Sequence, residues 1–403
     1  MKYIILIGDG MADDPVEELG GKTPLEVADL QNLNRIAQIG KLGMVRTIPR
    51  GFTPGSDIAN LSILGYDPQE YYTGRAPLEA ASIGIQLKQE DLAFRCNLVT
   101  LTVKGGDTYM DDFSAGHIST KEAEEIINEI DHKLGNEDIT FFSGVSYRHI
   151  MTLKDGNDSL KTTPPHDISH KIINPYLPKG KGKEQIIQLM NDSKAILDNH
   201  YINKRRTKDL KKPANSIWLW GQGRAPNMPT LMESYGIKGS VISAVDLIKG
   251  IGIYAGLEVI EVPGATGYLD TNYQGKAKYA LRELKDKDFV YVHVEAPDEA
   301  SHSGDLKNKI TAIERFDNEV IGTVLDGIGR FHEYRIMVLP DHATPLKVMT
   351  HTCNPVPFVV FSSNDKGPVP SKGIGFNEKS AKMSRISIED GHTLLSFFLE
   401  GKV

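Results

Sequence analysis

The sequence predicts an α/β fold in which an open, mostly parallel sheet carries helices on both faces and is interrupted by an inserted α+β domain. Two observations favour this class. Apolar, β-rich segments alternate with helical segments in the first and last portions of the chain, and the middle portion breaks that alternation. Strand–helix alternation is typical of parallel sheets. We therefore expect one α/β domain formed by residues 1–70 and 184–403, with the inserted domain over residues 71–183.

The first portion begins with a predicted strand over Tyr3–Ile7, which is apolar and β-rich and ends at Gly8-Asp9-Gly10. Leu30–Ile39 is predicted to be helical because its apolar residues recur at helical spacing. The segment Thr53-Pro54-Gly55-Ser56 has the composition of a turn, and a helix is expected directly after it, over Asp57–Leu64. A polar turn thus follows the first strand, and a second turn precedes a helix.

The middle portion is predicted to contain strands over Ala93–Val103 and Ile139–Phe142. A helix is expected over Thr120–Leu134, with Gly135 as its stop signal. The segment Pro175–Lys183 is rich in proline, glycine and lysine, which fits a linker at the end of the insertion.

The last portion alternates again between strands and helices. Its predicted strands are Ser216–Trp220, Val241–Ile242, Glu258–Val262, Phe289–Val294, Ile336–Leu339 and Phe358–Phe361. Its predicted helices include Asp246–Tyr254, Lys276–Leu284 and Lys309–Leu325. We expect these strands to join the first strand in one sheet.

Composition and charge exclude several classes of protein. A formal net charge of −7 does not suggest a nucleic-acid binder. The longest mostly apolar stretch, Ser240 to Val262, contains charged residues that make a membrane span costly. The two cysteines, Cys96 and Cys353, form no CxxC pair, which favours a reducing compartment and a cytoplasmic protein. Nothing in the pattern predicts an oligomeric state.

Carboxylates and imidazoles follow several of the predicted strands. Asp9 follows the first strand, and Asp298 and Asp341 come shortly after the strands that end at residues 294 and 339. Because the functional crevice of such a sheet lies at the carboxyl ends of its strands, we expect these carboxylates to meet at one edge. The complete set of candidates is Asp9, Asp298, His302, Asp341, His342 and His351.

Each of these patterns alone is weak. An isolated Asp-His pair, such as Asp341-His342, is usually a surface feature, and the spacing of Asp298 and His302 also occurs on solvated helix faces. The prediction rests on their combination at equivalent strand ends. Mixed carboxylate and imidazole ligands without sulfur suit Mn²⁺ or Zn²⁺ better than Mg²⁺.

Ser56 is the candidate nucleophile. It stands at the predicted start of a helix, where free backbone N–H groups and the helix dipole stabilise an alkoxide and a bound phosphate. A nearby metal ion would lower the pKa of its hydroxyl further. The alternative is a serine that only caps the helix.

A set of motifs in a fixed order carries a resemblance to a known family. The motifs are Leu6 to Asp13, Thr53 to Asp57 with Asn60-Leu61, Tyr72 to Arg75, Ala296 to His302, Pro340 to His342, and His351-Thr352 followed by Pro355 to Pro357. Together they resemble the cofactor-independent phosphoglycerate mutases of the archaeal type, within the alkaline phosphatase superfamily. The resemblance spans nearly the whole chain, and it implies an alkaline-phosphatase-like metal-binding catalytic domain with an inserted substrate-binding domain.

The resemblance also implies roles for individual residues. One divalent ion would be held by Asp9, Ser56, Asp341 and His342, and a second by Asp298, His302 and His351, with Ser56 as the catalytic nucleophile. Residues that would face the substrate are His117, Arg148, His166, Asp167, Arg224 and Lys276. Manganese is the favoured metal, with zinc, cobalt and magnesium as alternatives.

The implied activity is the interconversion of 3-phosphoglycerate and 2-phosphoglycerate in glycolysis and gluconeogenesis, through a phosphoserine intermediate. A metal-dependent phosphatase or another phosphomutase of the same superfamily is the nearest alternative. A catalytically inactive phosphate-binding protein is a third, although such proteins usually lose a ligand or the nucleophile and this chain keeps all of them.

Overall fold

The computed structural model describes residues 1–365 and 374–401 and divides into two compact units. The first unit contains residues 1–72 and 227–403, and the second contains residues 73–226. No helix in the described part of the chain is both long and apolar enough to cross a membrane.

The strands of the described residues are given in chain order. They are β1 (Lys2–Gly8), β2 (Lys41–Val45), β3 (Asp91–Lys104), β4 (Asp107–Asp112), β5 (Ile139–Phe142), β6 (Arg148–Lys154), β7 (Ser216–Gly223), β8 (Gly239–Ile242), β9 (Glu258–Val259), β10 (Phe289–Val294), β11 (Tyr334–Leu339), β12 (Val356–Ser362) and β13 (Ser387–Ile388).

The α-helices of the same residues connect most of these strands. They are α1 (Pro24–Val27), α2 (Gln31–Ile39), α3 (Ser56–Ile63), α4 (Pro68–Tyr71), α5 (Arg75–Ser82), α6 (Thr120–Leu134), α7 (Lys183–Leu197), α8 (Tyr201–Lys208), α9 (Leu231–Tyr235), α10 (Asp246–Tyr254), α11 (Tyr273–Glu283), α12 (Ala296–His302), α13 (Leu306–Arg315), α14 (Gly322–Ile328), α15 (Glu378–Met383) and α16 (Leu394–Glu400). Short 3₁₀ helices span Glu17–Leu19, Pro165–Ile168, Asn174–Tyr176 and Gly391–Thr393, and a π-helical turn, Phe316–Ile321, joins α13 to α14.

The first unit is built on an eight-stranded sheet with the strand order β13-β2-β12-β11-β1-β10-β8-β9. β1 lies in its centre and pairs in parallel with both β10 and β11. The antiparallel pairs are those that β12 makes with β11 and with β2. The sheet is therefore mainly parallel around β1, and the carboxyl ends of β1, β10 and β11 meet at one edge.

Helices cover both faces of this sheet. Ile4 and Leu6 of β1 belong to a core cluster that includes side chains of α2 and α11. Ile5 and Ile7 alternate with them, point to the opposite face and are also fully buried. The predicted fold class, a mainly parallel α/β sheet with helices on both faces, is confirmed.

The second unit contains an antiparallel sheet. β3 is its longest strand and pairs with β4, β6 and β7, while β5 pairs with β6. α6 packs on β5, and α7 packs on β7, so one side of the sheet carries a helical layer. A separate hydrophobic core forms there, with Phe94, Ile126 and Trp218 among its fully buried members.

The second unit extends further along the chain than expected. Residues 184–226, which were assigned to the α/β domain, lie in this unit because β7 pairs with β3 and α7 packs on β7. The expected linker Pro175–Lys183 therefore lies inside the unit. β7 was wrongly expected in the main sheet, since an apolar strand sequence does not specify the sheet it joins.

Candidate active site

Three acidic residues meet at the carboxyl edge of the main sheet. Asp9 directly follows β1, Asp341 follows β11 by two residues, and Asp298 lies on α12 just after β10. Because β1 pairs with both other strands in parallel, the chain delivers the three carboxylates to neighbouring positions. All three are nearly inaccessible to solvent.

The inner cluster consists of Asp9, Ser56, Asp341 and His342. The Nε2 atom of His342 lies 3.0 Å from Ser56 Oγ, 3.4 Å from Asp9 Oδ1 and 3.4 Å from Asp341 Oδ2. Ser56 is the first residue of α3, which begins one residue earlier than predicted, and Gly55 before it is extended. The hydroxyl of Ser56 is thus in contact with the same imidazole that faces both carboxylates.

Hydrogen bonds fix the orientation of Asp341. Its Oδ1 accepts hydrogen bonds from the backbone N–H groups of Gly10 (3.2 Å) and His342 (2.9 Å), and its Oδ2 accepts one from the side-chain Nδ2 of Asn60 (2.8 Å). Asn60 in turn accepts the hydroxyl of Tyr291 through Oδ1. These contacts tie the carboxylate to the loop after β1, to α3 and to β10.

The outer cluster consists of Asp298, His302 and His351. His302 lies one turn after Asp298 on α12, and its Nε2 is 3.0 Å from Asp298 Oδ2. The Nε2 of His351 is 3.4 Å from the same oxygen and 2.9 Å from His302 Nε2. The side chain of His302 is 36% exposed, whereas that of His342 is fully buried, so this cluster is the one nearer to solvent.

Thr344 connects the two clusters. Its hydroxyl donates to Asp298 Oδ1 at 2.5 Å, and its Oγ1 lies 3.2 Å from Nδ1 of His342. A carboxylate can only accept, so the single hydroxyl proton of Thr344 is committed to Asp298. Oγ1 then accepts from Nδ1–H of His342, which leaves the lone pair of His342 Nε2 facing Ser56.

Burial and charge shift the pKa values of the inner cluster. Burial, followed by the neighbouring charges of Asp341 and Asp298, raises the pKa of Asp9 well above its usual range. Burial lowers the pKa of His342, which keeps its imidazole neutral near pH 7. Crowded buried carboxylates beside neutral imidazoles are a costly arrangement unless a cation compensates their charge.

In the outer cluster the pKa of the carboxylate is lowered and that of a histidine is raised, the reverse of Asp9 and His342 in the inner cluster. Burial alone would raise the pKa of Asp298, but hydrogen bonds from His302 and His351 outweigh it and hold the pKa well below its usual range. The hydrogen bond to Asp298 raises the pKa of His302 to about 9. In the absence of metal, a proton on His302 therefore neutralises part of the Asp298 charge.

The residues present fit divalent metal ions. Within the described residues, Asp298, His342 and His351 offer ligand atoms that lie within 4.8 Å of one another, and so do Asp9, His293 and Asp341. Asp9 Oδ1 is buried and has no hydrogen-bond partner in this part of the chain, as expected of an atom that binds a cation. Oxygen and imidazole donors without sulfur suit Mn²⁺ or Zn²⁺.

A buried ion pair supports the loops of the site. The Nζ of Lys309 on α13 is fully buried and lies 2.7 Å from Asp13 Oδ2. It also donates to the carbonyl oxygens of Ala12 (3.4 Å) and Thr344 (3.0 Å). Lys309 therefore links the loop after β1 to the loop after β11.

Sequence reasoning missed His293 and Thr344. His293 lies inside β10, where it reads as one more strand residue, and a threonine two positions after His342 is unremarkable. The available signal for His293 was the position of an imidazole in an otherwise apolar strand, FVYVHV, one residue before its carboxyl end.

Four of the predicted substrate residues lie on a connected surface of the second unit. His117 packs against Tyr147, with ring centroids 6.1 Å apart, and the guanidinium of Arg148 lies 5.8 Å from the same ring. His166 packs against Trp220 at 5.3 Å, and its Nε2 lies 3.7 Å from Asp167 Oδ1. Phe113 contacts the rings of both Tyr147 and His166, at 5.7 and 6.1 Å, and so joins the two halves.

Two further arginines, which sequence reasoning did not assign to the site, adjoin this surface. Arg95 stacks on Trp220 at 4.2 Å and pairs with Glu79 at 2.8 Å. Arg75 pairs with the other oxygen of Glu79 at 3.0 Å. Burial would raise the pKa of Glu79, but the charges of Arg95 and Arg75 keep it below its usual range. The carboxylate of Glu79 thus forms ion pairs with two guanidinium groups.

The other two predicted substrate residues, Lys276 and Arg224, donate hydrogen bonds to backbone carbonyl oxygens. Lys276 is fully buried in the first unit, and its Nζ donates to the carbonyl oxygen of His293 at 2.8 Å. Arg224 donates to the carbonyl oxygens of Glu90 and Gly156, both at 2.6 Å. In this structure both cations bind backbone carbonyls, which sequence alone could not reveal because it does not show burial.

Comparison with known proteins identifies the family. Residues 37–203 match the family described as 2,3-bisphosphoglycerate-independent phosphoglycerate mutase. A probable enzyme of that name from Geobacter sulfurreducens is 51% identical over 401 residues, covering 99% of this chain and all of the relative. The enzyme of that name from Methanothrix thermoacetophila is 50% identical and is covered completely, as is this chain.

Solved structures agree with this result. A cofactor-independent phosphoglycerate mutase from Thermoplasma acidophilum has a TM-score of 0.66 at 28% identity, with 99% of both chains covered. A protein from Pyrococcus horikoshii has a TM-score of 0.83 at 31% identity, covering 99% of this chain and 96% of the other. The chain therefore belongs to the family of 2,3-bisphosphoglycerate-independent phosphoglycerate mutases.

Proposed function

We infer that this protein interconverts 3-phosphoglycerate and 2-phosphoglycerate through a phosphoserine formed on Ser56. One observation carries the proposal: Ser56 Oγ lies 3.0 Å from His342 Nε2, inside a cluster of buried carboxylates and imidazoles. Relatives about half identical over the full chain are named for this activity. A hydroxyl in such a cluster is suited to attack phosphorus.

Two divalent ions complete the site in this proposal. Asp9, Ser56, Asp341 and His342 would hold one ion, and Asp298, His302 and His351 the other. When bound, the ions would neutralise phosphoryl charge and favour the alkoxide form of the serine. Manganese is the proposed metal, and the carboxylate and imidazole donors suit Mn²⁺ or Zn²⁺ better than Mg²⁺.

The chain's own groups carry the transfer in two half-reactions. In the first, Ser56 Oγ gives up its proton and forms a bond with phosphorus while the bond from phosphorus to the substrate oxygen breaks, and the departing oxygen takes up one proton. In the second, the other hydroxyl of glycerate gives up its proton and attacks the phosphoserine, the bond from phosphorus to Ser56 Oγ breaks, and Ser56 Oγ takes up one proton. The neutral imidazole of His342, beside Ser56 Oγ, is suited to support the charge that develops there.

Residues of the second unit are proposed to bind the glycerate part of the substrate. Arg148 and His117 offer cationic and polar groups for its carboxylate, since a guanidinium fork matches carboxylate geometry. His166 and Asp167, which contact each other, are the proposed proton carriers for the glycerate hydroxyls. A reaction of these substrates would belong to glycolysis and gluconeogenesis in the cytoplasm.

Intact-mass analysis after incubation with 3-phosphoglycerate tests the nucleophile. The wild type is expected to gain the mass of one phosphoryl group, and Ser56→Ala is expected to gain none and to lose activity. Ser62→Ala is the matched control, because Ser62 is a fully buried serine of the same helix without a hydrogen-bond partner among the described residues. Activity that persists in Ser56→Ala would refute the proposal.

The product assay separates the alternatives. A mutase forms 2-phosphoglycerate without releasing inorganic phosphate. Release of phosphate without 2-phosphoglycerate would indicate a phosphatase, and activity on another phosphorylated sugar alone would indicate a different phosphomutase. Binding of phosphate with no turnover would indicate an inactive binding protein.

A further inference from the structure

We propose that His293 is an additional ligand of the inner metal ion and binds it through Nε2. The inference rests on the two-metal function proposed above, to which it adds a residue from the interior of β10. It assigns the inner ion the ligands Asp9, Asp341 and His293, together with the serine and histidine already proposed. The position of the imidazole, its hydrogen bonding and its unsatisfied nitrogen support this assignment.

The position of His293 matches that of a metal ligand. Its Nε2 lies 3.1 Å from Asp9 Oδ2, and ligand atoms of Asp9, His293 and Asp341 all lie within 4.8 Å of one another. Two atoms that bind one ion at about 2.1 Å are separated by roughly 3.0 to 3.4 Å when they subtend octahedral or tetrahedral angles. The contact between His293 and Asp9 falls within that range, as do those between His342 and the inner carboxylates.

The imidazole is oriented in the same way as the other proposed ligands. His302 directs Nδ1 to the carbonyl oxygen of Met349 at 3.0 Å and Nε2 into the outer cluster. His293 directs Nδ1 to the buried hydroxyl of Ser243 at 3.4 Å and Nε2 towards Asp9. A metal-binding histidine typically donates its other ring N–H to such a partner, which fixes the ring.

The Nε2 atom of His293 has no hydrogen-bond partner among the described residues. It is completely buried and makes no hydrogen bond with the described residues, although Asp9 is close, so the two groups are not aligned as donor and acceptor. An N–H buried there without a partner would cost about 1–3 kcal/mol. The tautomer that donates from Nδ1 to Ser243 avoids this cost and leaves a lone pair at Nε2 for a cation.

His149 provides a matched control in the second unit. It is also a buried histidine, its Nδ1 accepts the N–H of Gly144 at 3.0 Å, and its Nε2 is unpartnered in the described part of the chain. The difference is that Asp9 and Asp341 stand beside His293. An effect of removing a buried imidazole as such should therefore appear at both histidines, and an effect on metal only at His293.

The test uses His293→Asn, in which the amide can replace Nδ1 but nothing replaces Nε2. Bound metal is counted by elemental analysis after gel filtration with Mn²⁺, and each affinity is measured by titration with Co²⁺, whose visible absorption reports its ligands. The same measurements are made on the wild type, His149→Asn, His302→Ala, and the double variant of His293 and His302. Thermal melts with and without metal show that each variant folds.

The proposal expects two ions in the wild type and in His149→Asn. His293→Asn should weaken binding of the inner ion at least tenfold and change the Co²⁺ spectrum. His302→Ala should weaken binding of the outer ion, and the double variant should retain neither ion. If His293→Asn does not fold, His293→Gln is measured instead and should show a changed Co²⁺ spectrum. Two ions bound to either His293 variant with wild-type affinity and spectrum would overturn the proposal. Absence of metal from the wild type would instead refute the two-metal function itself.

Discussion

Replacement of Thr344 by valine tests whether one hydroxyl organises both clusters. Valine keeps the shape of the side chain but removes the hydrogen bond to Asp298 and the acceptor for His342 Nδ1. A hydrogen bond to a charged group contributes about 1.5–3 kcal/mol, and a buried N–H left without a partner costs about 1–3 kcal/mol. We expect Thr344→Val to lower the free energy of unfolding of the metal-free protein by about 2.5–6 kcal/mol, the sum of these two effects.

The same substitution should weaken metal binding. Loss of a partner that orients a metal-binding histidine typically costs 10- to 100-fold in affinity, about 1.4–2.8 kcal/mol. The control is Thr344→Ser, which keeps the hydroxyl and should retain most of the affinity. Denaturant unfolding in chelator and Mn²⁺ titration measure the two quantities. Equal affinities for the valine and serine variants would refute the role given to the hydroxyl.

Three further predictions follow from the site. Lys309→Met should lower the free energy of unfolding by about 3–5 kcal/mol, because it leaves the carboxylate of Asp13 buried and unpaired; adding Asp13→Asn should recover part of that loss in denaturant melts. Metal binding to the outer cluster near pH 7 should release about one proton, since the pKa of His302 is raised to about 9 and the proton must leave before Nε2 can bind. Affinity should therefore rise with pH and level off above about 9, and calorimetry in buffers of different ionisation enthalpy should detect the proton; no buffer dependence would contradict this. Gly10→Ala should lower both stability, by about 2–4 kcal/mol, and metal affinity, because Gly10 has a φ of 62° and an added Cβ would lie 2.4 Å from Asp298 Oδ1; chelator-treated melts and Mn²⁺ titration would show it.

The main sheet and its acidic edge could be predicted from the sequence because both depend on short segments of the chain. Apolar strands mark β1, β10 and β11, and parallel pairing then brings Asp9, Asp298 and Asp341 together. The domain boundary was not accessible in the same way. β7 has the sequence of a core strand, and only its pairing with β3, more than a hundred residues earlier in the chain, places it in the second unit.

Polar contacts in the interior were the least predictable part of the site. His293 occupies a strand position for which the alternation of residues predicts only burial. Its proposed role as a ligand depends on the nearby carboxylate of Asp9. The family resemblance implies that Lys276 faces the substrate, and the structure adds that α11 buries this lysine completely. Such residues are identified by their three-dimensional neighbours, which no spacing along the chain encodes.

The central place of β1 has a consequence for how the protein matures. β1 is synthesised before both of its neighbours, which end only at Val294 and Leu339, so its two edges stay unpaired until those strands have been made. Such distant pairings slow folding and leave strand edges exposed meanwhile. A truncated product that stops before β11 would contain Ser56 and Asp9 but would lack the strand that pairs with β1 and the carboxylate of Asp341 that follows it.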